Sequence, residues 1–367
     1  MRFTLSATLI AASLSTGAAF APTFQRETSK TVLFSTLKAR PTTASIAKKP
    51  AVDIENSFRK INDASNKIVP LTGEEINARL NAQLEKLREK DRNSKELSQE
   101  DLVVVFEDDD IIVVDKPSGV LTVAGKEANP SLAKAVYDIV KTDLPTEDHM
   151  VVHRLGMDTS GLIILAKTKH AVRKMNEVFR SRKVERQYEA LVAGHIEKDE
   201  GLISLPIMRD YEFPPYVRIS TDDHQRALLD LDPEVVGKKI LEAPKESITK
   251  YEVVSREEID GNPVTRVTLT SISGRYHQLN VHLAAFGHPI VGDTVYGIEG
   301  SAASNGGLRD EELEVLAPNP NRACSPLQAA ISSVAKDKPA CVHAKYLRFR
   351  HPISGNSLDF STDSPFQ

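Results

Sequence analysis

The sequence predicts an α+β fold, because segments with the period of a β-strand outnumber segments with the period of a helix. Two runs rich in β-branched residues, 102–106 and 111–114, flank a short acidic turn and predict a hairpin. Alternating polar and apolar residues at 186–194 predict a further strand that ends at a glycine. Helical spacing is restricted to fewer segments, among them 72–92 and 172–179.

The overall composition is that of a globular chain. Of the 367 residues, 27% are charged and 40% are hydrophobic, and the formal net charge is −4. Since the chain is not basic overall, any contact with nucleic acid must use a local basic surface. The two cysteines, Cys324 and Cys341, form neither a metal-binding spacing nor a disulfide framework. No apolar run reaches the roughly 18 residues of a membrane-spanning helix, so we expect no membrane partner.

Residues 1–50 have the composition of a targeting presequence. A short basic start and an apolar, small-residue stretch from Leu5 to Ala19 are typical of a signal peptide. The next segment, 20–50, is rich in Ser, Thr, Lys and Arg and has Glu27 as its only acid, as in transit peptides. The two signals in series resemble the bipartite presequences of algae with secondary plastids. We therefore expect a plastid protein, with the secretory pathway as the alternative.

A linker and an amphipathic helix are predicted for 51–98. Thr72 and Glu75 have capping-box spacing, which predicts that a helix begins here and continues to about Arg92. One face of this helix is apolar and consists of Ile76, Leu80, Leu84 and Leu87. We expect the helix to pack on the domain that follows, and a partner-binding helix is the alternative.

The segment 151–161 combines charged and turn-forming residues and continues into the apolar stretch 162–166. This pattern predicts a functional loop that leads into a buried strand, beside which charges interact strongly. Its string His-Arg-Leu-x-x-x-Thr-Ser-Gly resembles the signature loop of the RluA-type pseudouridine synthases. The candidate residues of this signature loop are His153, Arg154, Gly156, Thr159, Ser160 and Gly161.

Gly156 stands where the resemblance implies the catalytic aspartate of the family. Two hypotheses follow, because glycine has no side chain that could supply a carboxylate. In the first, Asp158 supplies it from two positions further along the loop, about 6–7 Å away in an extended chain. In the second, the protein is catalytically inactive, keeps an RNA-binding surface and acts in RNA folding or ribosome assembly.

Three further motifs resemble the same family. Lys116, in Asp-Lys-Pro-Ser-Gly, matches a lysine near the active-site loop, and we expect a structural role for it. Tyr188, in Arg-Gln-Tyr-Glu-Ala, matches the tyrosine that stacks near the target base and helps to remove its C5 proton. Arg275, in Gly-Arg-Tyr-His-Gln, matches the arginine that pairs with the catalytic aspartate. The resemblance thus implies Tyr188 and Arg275 as catalytic residues, and the first hypothesis adds Asp158.

The resemblance covers about 99–298 and 341–366, and it implies one catalytic domain at 99–367. In the family this domain is a mixed, mostly antiparallel sheet with surrounding helices and an active-site cleft across the sheet. Within the domain, 211–246 is polar enough to be a loop. The segment 299–340 is rich in Ala, Ser, Asn, Pro and Gly and predicts a disordered insert.

Residues 167–187 form a basic segment, with eight Lys and Arg residues against two Glu residues. So concentrated a surplus favours phosphate neutralisation, whose strength comes from the release of counterions. A solvated helix face is the alternative. The candidate RNA-binding residues are Arg180, Arg182, Lys183 and Arg186.

The reaction implied by the resemblance breaks the N1 glycosidic bond of a uridine, turns the base and rejoins it through C5. Because it needs no external reactant, the resemblance implies neither a metal nor an organic cofactor. His277, His282 and His288 have no carboxylate or cysteine in helical ligand register, which argues against a zinc site. We expect a monomer whose partner is RNA, either rRNA, tRNA or both.

Overall fold

A computed structural model describes residues 71–366 except 230 and 337. The predicted presequence and most of the predicted linker lie outside the described residues. The strands in the described part are β1 (Val103–Glu107), β2 (Ile111–Lys116), β3 (Ser160–Ala166), β4 (Glu185–Ala193), β5 (Glu200–Ser204), β6 (Ile207–Arg209), β7 (Val217–Ile219), β8 (Ile248–Ile259), β9 (Asn262–Ser271), β10 (Val342–Arg350) and β11 (Ser357–Ser361).

The α-helices in the same part of the chain are α1 (Gly73–Arg92), α2 (Leu132–Tyr137), α3 (Lys169–Arg180), α4 (Asp222–Leu229), α5 (Pro233–Val236), α6 (Gln278–Phe286), α7 (Asp310–Leu316) and α8 (Ser325–Val334). Among these described helices, none combines the length and the apolar character that crossing a membrane requires.

Nine strands form one sheet in the order β1-β2-β3-β10-β4-β9-β8-β5, with β11 paired to β10. The described strand pairs of this sheet are antiparallel, except that β3 and β10 run parallel. β6 and β7 form a separate antiparallel pair. The predicted α+β fold with a mixed, mostly antiparallel sheet is confirmed. The predicted hairpin is the pair β1 and β2.

Helices cover both faces of the sheet, which is why 111–114 of β2 and 162–166 of β3 are continuous apolar runs. On one face, Ile112 belongs to a core cluster with Leu132 of α2. On the other face, Ile111 belongs to a cluster with Met175 of α3. Each side chain of this size that is fully buried stabilises the fold by roughly 1.5–3 kcal/mol relative to exposure.

The far half of the sheet is covered in the same way. On the α2 face, α6 packs on β4, β8 and β9 through Val281 and Leu283. On the opposite face, Ile331 of α8 packs with Leu191 and Val264. The α2 and α6 clusters meet at Tyr188, whose ring packs against both. We call this junction the seam.

Helix α1 begins where the capping-box spacing predicts. The Thr72 hydroxyl accepts a hydrogen bond from Glu75 N at 3.3 Å, and the Glu75 carboxylate accepts one from Thr72 N at 2.7 Å. Ile76 is fully buried in a cluster with Tyr211 and Val236. The first half of α1 therefore packs on the segment between β6 and β8.

That segment is not the loop predicted for 211–246. It contains β7, α4 and α5. Its apolar residues are scattered among polar ones, so no period reveals them, yet Tyr211, Leu228 and Val236 are buried in one cluster with Ile76.

The disordered insert predicted for 299–340 is also not what the structure contains. α7 and α8 lie in this stretch, Leu313 joins the α6 cluster, and Ile331 packs under β4. Small residues such as Ala323 and Ala335 are buried against the sheet. The small alanine side chains of this stretch therefore allow it to pack closely against the sheet.

Candidate active site

The signature loop is held by the lysine that ends β2. The Lys116 side chain is fully buried, and its Nζ donates hydrogen bonds to the carbonyl oxygens of Pro117 at 2.9 Å, Val120 at 2.7 Å and Met157 at 3.1 Å. Burial lowers the pKa of Lys116 to about 7, while the negative charge of Asp158 acts in the opposite direction. Its bond to Met157 ties the loop to the sheet, in keeping with the structural role expected for it.

Two side chains after β2 fix the loop further. The Ser118 hydroxyl donates to the carbonyl oxygen of Asp158 at 2.8 Å. The Thr122 hydroxyl donates to Leu155 O at 2.9 Å and accepts from Leu155 N at 3.2 Å. Together with Lys116, these side chains bond the backbone at three of the four residues from 155 to 158.

The Asp158 carboxylate faces a lysine of α1. Lys90 Nζ lies 2.5 Å from Asp158 Oδ2, and the two side chains are 37% and 35% exposed. The same Nζ lies 3.4 Å from the Thr294 hydroxyl. Within residues 71–366, no ion pair joins Asp158 to Arg275, so the pairing of arginine with the loop carboxylate that the resemblance implies is not found.

Arg275 instead contacts backbone and amide groups. Its Nε donates to the carbonyl oxygen of Glu246 at 3.3 Å, and its backbone N–H donates to Gln278 Oε1 at 2.9 Å. Gly156 offers Arg275 no carboxylate to pair with. The Asp158 carboxylate pairs with Lys90 instead.

Gly156 is exposed, and a Cβ added there would meet only the Thr159 hydroxyl oxygen, at 3.4 Å. Its φ is not in the left-handed region, unlike that of Gly161. Position 156 therefore does not need the backbone freedom of glycine, and a larger side chain fits there.

Tyr188 lies at the seam and is half-buried. Its ring packs against the cluster that contains Leu155 of the signature loop, and in the sheet it pairs with Leu269. Its hydroxyl makes no hydrogen bond with another described residue. The phenol is thus placed between the loop and the α6 half of the domain.

His153 is a structural residue. Its Nε2 accepts a hydrogen bond from Ile164 N at 2.9 Å, and its ring stacks on Phe179 with centroids 4.7 Å apart. Burial, and then the charge of Arg186, lower its pKa to about 3, so the imidazole is neutral at pH 7. It supports the loop from the α3 side.

The remaining loop residues differ in role. Arg154 is exposed, and Thr159 N donates to the carbonyl oxygen of Gly156 at 3.1 Å. Ser160 is buried, with its hydroxyl 2.9 Å from Nδ1 of His343.

Gly161 is required by the parallel pairing of β3 with β10. Its φ is +112°, and a Cβ there would lie 2.5 Å from the backbone nitrogen of Ala344.

The candidate RNA-binding residues begin at Arg180, the last residue of α3, whose buried face carries Ala171 and Met175. Arg180, Arg182 and Lys183 are exposed and make no ion pair with any carboxylate that the structure describes. They are available to phosphate groups.

Arg186 is half-buried and stands apart from these three. Its guanidinium lies 5.8 Å from the centroid of the Phe179 ring, and a Cβ added at Gly274 would lie 2.8 Å from its Nη2. It therefore connects the end of α3 to the turn before Arg275.

The three histidines around α6 do not converge on one point. His282 bonds Thr249 and Leu205, and His288 bonds Ala193 and Asn319. Burial lowers the pKa of each of these two histidines to about 4. The ring of His277 stacks on Tyr276 at a centroid distance of 3.8 Å.

A cluster that the sequence did not reveal lies under the N-terminal half of α1. Ligand atoms of Asp210, Glu212 and His224 lie within 4.8 Å of one another. Arg218 Nη1 lies 3.3 Å from Glu212 Oε2 and 3.0 Å from His224 Nδ1, so a guanidinium already supplies the positive charge. The cluster supports Glu212, whose carbonyl oxygen accepts a hydrogen bond from Arg79 at 3.0 Å.

Lys90 is the residue of the site that sequence reasoning missed. It follows Leu87 by three positions and so continues the inner stripe of α1. A lysine at the end of an apolar stripe was the available signal, but its partner is 68 residues further along the chain.

Residues 110–285 match the family described as RNA pseudouridylate synthase. The chain belongs to this family of RNA pseudouridylate synthases.

Two bacterial relatives, each more than 30% identical, support this family membership. The dual-specificity RNA pseudouridine synthase RluA of Pasteurella multocida is 35% identical over 72% of this chain and 94% of its own. RluA of Yersinia pestis is 40% identical over 53% of this chain and 82% of its own. The solved structure of human RNA Pseudouridylate Synthase Domain Containing 1 is 25% identical over 74% of this chain and 87% of its own, with a TM-score of 0.49.

Proposed function

We propose that this protein is an RNA pseudouridine synthase that isomerises uridine to pseudouridine in rRNA, in tRNA or in both. Its family and the names of its relatives support the proposal. The observation that carries it is the position of Asp158. This residue offers a partly exposed carboxylate in the signature loop, on a backbone held by Ser118.

In this proposal Asp158 supplies the carboxylate that the reaction needs at the sugar or the base. The N1–C1′ bond breaks, the base turns, and a C5–C1′ bond forms. The C5 proton leaves with the help of Tyr188, and N1 takes up a proton. Reactant and product have the same atoms, so no further reactant is consumed.

The substrate must reach the seam as an everted nucleotide, because base chemistry cannot take place inside a stacked helix. Arg180, Arg182 and Lys183 hold the RNA through its phosphates, and the release of counterions supplies the binding energy. Arg186 connects this basic surface to the turn that carries Arg275.

The cellular site that we propose is the plastid, on the composition of residues 1–50, with the secretory pathway as the alternative. A fluorescent protein fused behind residues 1–50 tests this. Plastid fluorescence supports the assignment, and fluorescence in the secretory pathway rules it out. Within its compartment we propose that the protein acts as a monomer, which sedimentation of the purified chain tests.

The activity is tested by incubating residues 51–367, and the full chain beside them, with plastid rRNA and tRNA transcripts and mapping pseudouridine chemically. We expect product from the natural protein and none from Asp158→Ala or from the isosteric Asp158→Asn. Product that persists in both variants would exclude Asp158 as the carboxylate.

An inactive protein gives a different pattern. It forms no product from any transcript, but it binds the same RNA with an affinity that falls as salt rises. That result would indicate an RNA-binding protein without catalytic activity, which acts in RNA folding or ribosome assembly.

A further inference from the structure

Helix α1 brings a cation to the signature loop. Lys90 Nζ lies 2.5 Å from Asp158 Oδ2 and 3.4 Å from the Thr294 hydroxyl, in the last turn of the helix. α1 lies outside residues 110–285, which match the family. The loop carboxylate is thus paired by an element outside the matched catalytic core.

The position of Lys90 is fixed because both ends of α1 are attached to the domain. At the N-terminal end, Ile76 is buried, and the Asn77 amide donates to Val235 O at 2.7 Å. At the C-terminal end, Arg92 makes a bidentate pair with Glu127 at 2.9 Å and 3.1 Å. A pair of this kind fixes orientation as well as distance.

The residues that follow α1 join it to the same segment that anchors the signature loop. The Ser94 hydroxyl donates to Pro130 O at 2.7 Å and accepts from Leu121 N at 3.0 Å. Lys95 N donates to Gly119 O at 3.1 Å. Gly119 N in turn donates to Met157 O at 2.9 Å, so one network of hydrogen bonds joins the end of α1 to the loop.

Among the charged groups described near the Asp158 carboxylate, Lys90 is the cation that contacts it. Burial, and then the charges of Lys90 and Arg209, lower the pKa of His277 to about 4, so this neighbour is neutral at pH 7. The Lys116 ammonium bonds backbone carbonyls and not the Asp158 carboxylate. A partly exposed ion pair adds little to folding stability, so the contribution of this one is geometric.

We propose that Lys90 is a positioning residue of the active site, which acts through its ion pair to hold the Asp158 carboxylate in the orientation that the reaction requires. The inference rests on the proposed function. It gives α1 a role in catalysis and gives Lys90 the pairing that the resemblance implies for Arg275.

The test compares Lys90→Met, Lys90→Arg and the matched control Lys86→Met, which removes an exposed lysine one turn earlier on the same helix. With saturating RNA, we expect the single-turnover rate of pseudouridine formation to fall about tenfold or more in Lys90→Met, since small misplacements of a reacting group are costly. We expect Lys90→Arg to retain most of the rate and Lys86→Met all of it. RNA affinity should be the same in all four proteins.

A second measurement does not depend on activity. The NMR couplings that report the χ1 rotamer of Asp158 should indicate one rotamer in the natural protein and in Lys86→Met, and an average over several rotamers in Lys90→Met. An Asp158 rotamer that stays fixed in Lys90→Met would overturn the inference, whether or not the natural protein is active. Rotamer averaging with an undiminished rate would overturn it as well.

The two proposals fail in different ways. If the natural protein forms no pseudouridine while the Asp158 rotamer still responds to Lys90→Met, the proposed function fails and the orientation of Asp158 by Lys90 stands. If the natural protein is active and needs the Asp158 carboxylate, but Lys90→Met keeps the full rate, the proposed function stands and the positioning role fails.

Discussion

The Nζ atom of Lys116 lies 3.1 Å from the carbonyl oxygen of Met157 and so joins β2 to the signature loop. Lys116→Met removes this buried ammonium, so the carbonyl oxygens of Pro117 and Val120 lose their donor and Met157 O keeps only its bond from Gly119 N. We expect the free energy of unfolding to fall by at least about 2 kcal/mol, measured by urea denaturation. Lys126→Met, which removes an exposed lysine, should have almost no effect. Equal stability of the two variants would contradict a supporting role for Lys116.

A methyl group at position 161 should disrupt the centre of the sheet. In Gly161→Ala the Cβ lies 2.5 Å from Ala344 N, and the backbone keeps a φ of +112° that alanine disfavours. We expect a loss of about 2–4 kcal/mol in a thermal or urea melt. Gly125 has a φ of +68° with no atom within 4 Å of an added Cβ, so Gly125→Ala measures the backbone cost alone, about 1 kcal/mol. Similar losses in both variants would show that the sheet tolerates the methyl group.

Acid should destabilise the protein through His153. The pKa of this residue is lowered to about 3 in the folded state, so the unfolded chain binds its proton first. Stability is therefore lost as the pH falls from the unfolded value of about 6.5 towards 3, by roughly 2 kcal/mol between pH 7 and pH 5.

The measurement is urea unfolding at pH 7 and pH 5 for the natural protein, for His153→Gln and for His149→Gln. The glutamine in His153→Gln can still accept the hydrogen bond from Ile164 N but does not titrate, so the pH dependence should shrink by that amount. His149 is exposed, and its replacement should leave the pH dependence as it was. A His153→Gln protein with the full acid sensitivity would refute the assignment.

The space above Gly156 should accept an aspartate. A Cβ there has Thr159 Oγ1 as its only neighbour, at 3.4 Å, so we expect Gly156→Asp to fold with a stability within about 1 kcal/mol of the natural protein. In an Asp158→Ala background, Gly156→Asp should raise the rate of pseudouridine formation about tenfold or more above that of Asp158→Ala alone, because it returns a carboxylate to the loop. Gly156→Asn in that background is the control and should remain inactive. If the folded double variant forms no pseudouridine, the site lacks more than a carboxylate at position 156.

Removing the charges after α3 should weaken RNA binding and its dependence on salt. With Arg180, Arg182 and Lys183 all changed to Gln, we expect the slope of log affinity against log salt to fall by about 2–3, since each phosphate contact contributes about 0.7–0.9. A control with Lys126, Lys238 and Lys239 changed to Gln removes the same charge from other exposed positions. Equal slopes for the two triple variants would mean that net charge, and not this surface, governs binding.

Local patterns were sufficient to predict several strands and the start of helix α1. The β-branched runs of β2, the alternation in β4 and the Thr72–Glu75 capping box are all short-range signals, and the structure places elements at each of them. The insert at 299–340 was predicted wrongly because Ala and Ser are abundant both in disordered chains and at tight helix contacts. Composition alone does not separate these two cases.

The pairing within the site could not be predicted for a different reason. Asp158 was recognised by its place in a motif, but its partner Lys90 lies in a helix that no motif connects to the loop. Likewise, the contact of Arg218 with His224 in the Asp210 cluster follows from the pairing of β6 with β7, which no sequence motif indicates. Such long-range pairs depend on topology, and motif spacing does not record topology.

The parallel contact between β3 and β10 has a consequence for how the molecule is made. β10 lies between β3 and β4, so residues near 345 join two strands that were synthesised roughly 150–185 residues earlier. A nascent chain on the ribosome cannot close the sheet until this strand has emerged. We expect the edges of β3 and β4 to stay unpaired until then, so that chaperones can bind them. The complete sheet should therefore form late and slowly.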